Sequence, residues 1–79
     1  NPVTTLRYDL PEDALVNITI YDMMGRIVNN LVRNQQTAGY KSMQWNATNT
    51  AGQPVSAGLY LYTMQAGDFR HTRKMVLLK

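Results

Sequence analysis

The sequence predicts an all-β domain of six or seven strands, and three observations carry that expectation. Apolar and polar residues alternate with a period of two along most of the chain. No stretch holds helical spacing of three and four over several turns. The alternating runs are separated by clusters of Gly, Pro, Asn and Asp, the residues that turn a chain. With 79 residues, 44% of them hydrophobic and 16% charged, the chain has the composition of one folded domain rather than of a disordered segment. A chain of this size buries only about 60% of the surface its unfolded form exposes, so its core is thin and leaves no room for a deep cleft.

The first strand spans 4–10, with Leu6, Tyr8 and Leu10 on one face and Thr5, Arg7 and Asp9 on the other. Pro11, Glu12 and Asp13 form a turn into a second strand at 14–21. There Val16, Ile18 and Ile20 point inward, in the clearest half-buried pattern of the chain, which places this strand centrally. Asp22-Met-Met-Gly25 is a tight connection, since Gly25 can adopt the positive φ that a methionine resists. Residues 26–33 form a less regular strand. Ile27, Val28, Leu31 and Val32 also fit a helical face, but the segment is short and Asn29-Asn30 weakens a helix.

A polar loop is expected at 34–39 and a strand at 40–45, with Met43 and Trp45 on one face. That pairing makes Trp45 a core anchor, the alternative being an exposed sugar-stacking platform. Residues 46–55 are turn formers without a single Asp or Glu, so no calcium cage is expected there. The closing hairpin sets Tyr60, Tyr62 and Met64 on one side and Leu59, Leu61 and Thr63 on the other. It turns at Ala66-Gly-Asp68 and returns through 69–78. Both of its faces are fairly apolar, which suits a strand covered on each side or a surface docked on a preceding domain.

Cysteine is absent and His71 is the single histidine, so disulfides and cysteine-based zinc sites are excluded; no metal or cofactor is expected. No apolar run reaches the roughly 18 residues of a membrane span. The net charge of +3 is uneven: Arg70, His71, Arg73, Lys74 and Lys79 crowd the last ten residues, while Glu12 and Asp13 sit near the start. This basic end reads either as an edge strand protected by charge or as a recognition surface. Nucleic-acid binding is disfavoured, since the charges are too few for a broad phosphate footprint. No catalytic constellation is legible: the acidic residues are dispersed, and His71 stands among arginines with no carboxylate beside it in the sequence. The opening Asn1-Pro2, with neither initiator methionine nor leader, suggests a piece of a longer protein.

The ordered landmarks Thr5-Leu-Arg-Tyr-Asp-Leu-Pro11, Val16-Asn-Ile-Thr-Ile-Tyr-Asp22, Gly25-Arg26, Gly39-Tyr40, Trp45-Asn46, Gly52-Gln-Pro-Val55, Gly58, Tyr60, Tyr62 and Lys74-Met-Val-Leu77 resemble the C-terminal sorting domain of the type IX secretion system. Several are shared with the immunoglobulin-like domain of flagellar hook-capping proteins. The resemblance implies a seven-stranded immunoglobulin-like antiparallel β-sandwich, residues 1–79, behind an upstream cargo domain. It also implies a non-enzymatic role: directing cargo through the periplasm to the outside or the cell surface, with the secretion translocon and a surface sortase as partners. By position, Gly58, Tyr60 and Tyr62 match the family's penultimate-strand motif, and Lys74, Met75, Val76, Leu77 and Lys79 its terminal one. The alternative implied is an immunoglobulin-like spacer or assembly domain, as in hook capping.

Overall fold

A computed structural model describes residues 3–78. It contains six strands: β1 (Thr4–Leu10), β2 (Ala14–Asp22), β3 (Ile27–Gln36), β4 (Gly39–Trp45), β5 (Gly58–Ala66) and β6 (Phe69–Leu77). They form a two-stranded sheet, β1-β4, facing a four-stranded sheet in the order β3-β2-β5-β6, with every pairing antiparallel. β2 lies inside the large sheet, where its three fully buried side chains Val16, Ile18 and Ile20 require it to be. The core between the sheets takes Leu6, Leu10 and Trp45 from the small sheet. Val16, Ile18, Ile20, Val32, Tyr60, Met64, Ala66 and Leu77 come from the large one.

The seventh strand that the resemblance implies is not found among the described residues, which hold six. The stretch 46–57, read from its turn formers as a loop, makes only an isolated bridge between Thr48 and Pro54. The segment is instead folded on itself: the amides of Ala51 and Gln53 both donate to Asn49 Oδ1, Gly52 takes a φ of 82°, and Pro54 has no N–H for a ladder.

The third strand also corrects the sequence reading. It runs on through Gln36, because Asn34, Gln35 and Gln36 pair with Val16, Leu15 and Ala14, and the expected polar loop shrinks to Thr37-Ala38. β3 is an edge strand, so its polar side chains remain solvated while its backbone pairs. Two register shifts against β2, between Ile18 and Thr19 and between Ile20 and Tyr21, leave Leu31 and Val28 as extra residues. These bulges resolve the helix-like spacing: Val28, Leu31 and Val32 all reach the core side of a strand, which simple alternation forbids.

Candidate interaction surfaces

The β5–β6 register sorts the hairpin residues between two faces. Tyr60 and Tyr62 pair with Met75 and Arg73, Gly58 pairs with Leu77, and all of these lie on the inward side. Tyr60 is buried, sets its ring edge-on against Trp45, and donates its hydroxyl to Ser56 O at 2.6 Å. Leu77 is buried, and Met75 and Tyr62 pack partly against the core. Lys74 and Val76 point outward beside Leu61 and Leu59 and are exposed. Gly58 is exposed, with a φ of 149° that favours glycine. Lys79 lies outside the described residues. The hairpin residues singled out by sequence therefore do not converge on one surface: Tyr60, Met75 and Leu77 hold the hairpin down, and among the described ones Gly58, Lys74 and Val76 are exposed.

The basic end divides in the same way. Arg70 and Lys74 lie outward opposite Gln65 and Leu61, whereas His71 and Arg73 lie inward opposite Met64 and Tyr62. Trp45 is 1% exposed and its indole N–H donates to Thr48 O at 2.9 Å, so the aromatic residue expected as a core anchor is one. Tyr40, 90% exposed on β4, has no indole beside it to make a sugar platform.

What sequence reasoning did not assemble is the outer face of the large sheet. The cross-strand pairs Ile27–Tyr21, Tyr21–Leu61 and Leu61–Lys74 form one row, and Leu59 and Val76 adjoin it. Ile27, Leu59 and Val76 are exposed by 66%, 44% and 57%, an apolar strip across all four strands. The doubly apolar β5 was the signal for it. A second row, Asn30, Thr19, Thr63 and Thr72, is polar: Thr19 and Thr63 are buried, Asn30 and Thr72 at its ends are exposed, and the Thr63 and Thr72 hydroxyls lie 3.2 Å apart.

At the β2–β3 turn, Asp22 Oδ1 accepts the amides of Met24 and Arg26 and Oδ2 accepts Arg26 Nε at 2.9 Å. The Arg26 amide, followed by Met24 and the guanidinium, holds the carboxyl below its ordinary range against a partial desolvation that opposes it. These groups close a turn and offer no acid–base pair.

Residues 3–68 match the FlgD Ig-like domain family. A crystal structure of FlgD from P. aeruginosa superposes with a TM-score of 0.78 at 24% identity, over 96% of this chain and 61% of that one. The chain thus spans about three fifths of that protein's length, and the coverage is too complete for β6 to lie outside the shared fold. No curated protein matches.

Proposed function

The chain belongs to the FlgD Ig-like domain family, and from that premise we propose that it is a non-catalytic assembly domain, as in flagellar hook capping, packing against neighbouring protein through its large sheet. The observation that carries this reading is the apolar strip of Ile27, Tyr21, Leu61, Leu59 and Val76 on the outer face. An exposed apolar strip across a sheet is a surface that gains by being covered. The test replaces Leu59 and Val76 together by Glu in the intact protein that carries the chain. Retained folding with loss of subunit association in sedimentation supports the reading; unchanged association overturns it.

A second reading is the sorting domain of type IX secretion, which would place the protein outside the cell or on its surface, with a translocon and a sortase as partners of the chain and cargo upstream. It is favoured by the position of β6 at a sheet edge with Lys74 and Val76 facing solvent. A periplasmic reporter fused to residues 1–79 separates the two, in a bacterium that has this secretion system. Export abolished by deleting 74–79 supports sorting, and export indifferent to that deletion rules it out.

A further inference from the structure

The two-stranded sheet is too narrow to cover the four-stranded one. Among the described residues β1 pairs only with β4, which leaves its other backbone edge open, and beyond that edge lies the inward face of β6. The space between is a groove of about 180 Å³ with Arg7, Tyr8 and Asp9 on one wall, Phe69, His71 and Arg73 on the other, and Tyr62 and Met64 at the floor. This is below the roughly 300–1,000 Å³ of small-molecule sites and suits a side chain of an extended segment.

The groove has a charge order. At one end Arg7 and Arg73 stand without a carboxylate partner, the ion pair among the described residues being Arg26–Asp22. The middle is aromatic, with the His71 ring stacked on Phe69 at 6.0 Å and 7° between planes. Phe69 also borders a second hollow, of about 350 Å³, whose acidic lining residues are Glu12, Asp13 and Asp68. With Asp9 on the wall beyond Arg7, cation, then aromatic and acid follow one another along β1 and the start of β6.

The edges are not equivalent. β3 carries two bulges that spoil a regular ladder, whereas β1, β4 and β6 hold unbroken registers, and β4 does not line the groove. A strand added to β1 makes the small sheet three-stranded and covers Phe69 and His71.

We propose that this trough binds an extended segment of a partner protein carrying charges of both signs, which adds to the free edge of β1. Its acidic residue meets Arg7 and Arg73, an apolar residue rests on Tyr62 and Phe69, and its basic residue meets Glu12 and Asp68. Main-chain pairing supplies affinity, while the charge order supplies selectivity. The proposal rests on the assembly reading and names the chemistry of one neighbour.

The probe is a capped peptide of about eight residues, valine and phenylalanine between a terminal glutamate and a terminal lysine, titrated into the 79-residue chain and followed by amide chemical shifts. Shifts should concentrate on β1 and on residues 69–73. Affinity should fall about tenfold when both peptide charges are lysine and weaken with added salt. In R73E, an exposed position, the preference should reverse toward the all-lysine peptide. Shifts centred on β3, β4 or the outer face, an unchanged preference in R73E, or no binding overturns the proposal. Since Leu59 and Val76 lie on the opposite face, loss of association in their Glu variant together with no peptide binding would remove this proposal and leave the assembly reading standing.

Discussion

Trp45 and Tyr60 meet edge to face, ring centroids 5.4 Å apart and 73° between planes, and this contact joins the end of the small sheet to a central strand of the large one. Thr48 O completes the junction by accepting both the Trp45 indole and the Asn29 side-chain amide, from β4 and β3. One aromatic pair and one carbonyl thus connect both sheets and the 46–57 loop.

Removing the indole should be the costliest single change in the chain. Trp45→Ala deletes a fully buried side chain, about 3–5 kcal/mol for an aromatic truncation. Tyr60→Phe loses only the hydroxyl bond to Ser56 O, about 1 kcal/mol. Urea denaturation followed by circular dichroism ranks the two. Equal costs would mean that the aromatic contact does not hold the sheets together.

The bulge between Ile18 and Thr19 has its own fastener. Asn30 Nδ2 lies 2.6 Å from Asn17 Oδ1, 3.0 Å from Thr19 Oγ1 and 3.2 Å from Ile18 O. Asn30→Ala removes all three contacts and Asn17→Ala only one. The former should cost about 1 kcal/mol and the latter less, with faster amide exchange confined to β2 and β3. Uniform acceleration that includes the β5–β6 hairpin would contradict this local role.

The strands legible in the sequence are those in which alternation is undisturbed. β1 and the buried face of β2 follow directly from Leu6, Tyr8, Leu10 and Val16, Ile18, Ile20, and the closing hairpin from its turn at Gly67. β3 was not legible in full. Val28 and Leu31 are inserted out of phase, and its last three residues are polar because an edge strand needs no apolar side chains to pair its backbone. The 46–57 segment was legible as a loop from its turn formers, and its Asn49 turn consumes the hydrogen bonds a seventh strand would need. Surfaces were least legible of all. Arg7 and Arg73 line one groove only because the small sheet stops at β1, and the outer apolar strip exists only through a four-strand register.

Ala47 combines a φ of 62° with 2% exposure, a conformation that disfavours side chains in a place with no spare room. Ala47→Gly relieves about 1–2 kcal/mol of left-handed strain. It also loses a buried methyl worth about 0.8 kcal/mol and adds about 0.5–1 kcal/mol of unfolded-state entropy. The terms nearly cancel, so its denaturation midpoint should stay close to that of the parent. Ala47→Val adds branching at a positive φ and volume at a buried site, and should cost more than about 2 kcal/mol. A stable valine variant would show that the loop can leave the left-handed conformation.

Asp22 should give the fold a stability component that disappears in acid. Its carboxyl is held below the ordinary value of 3.8 chiefly by the Arg26 amide, with Met24 N–H and the Arg26 guanidinium adding to it. For a carboxylate whose folded pKa is lowered, the contribution is complete above the unfolded pKa and is lost as pH falls through the folded one. Stability measured by denaturation should therefore decline below about pH 4, and the Asp22 component of that decline should vanish in Asp22→Ala. Asp22→Asn keeps an oxygen for the two backbone amides but no charge, so it should lie between the two and add no titration of its own. The direct check is the carboxyl carbon resonance of Asp22: a midpoint below 3.8 is expected, whereas a midpoint at or above it would mean that the turn is open in solution and that Arg26 is not held against it.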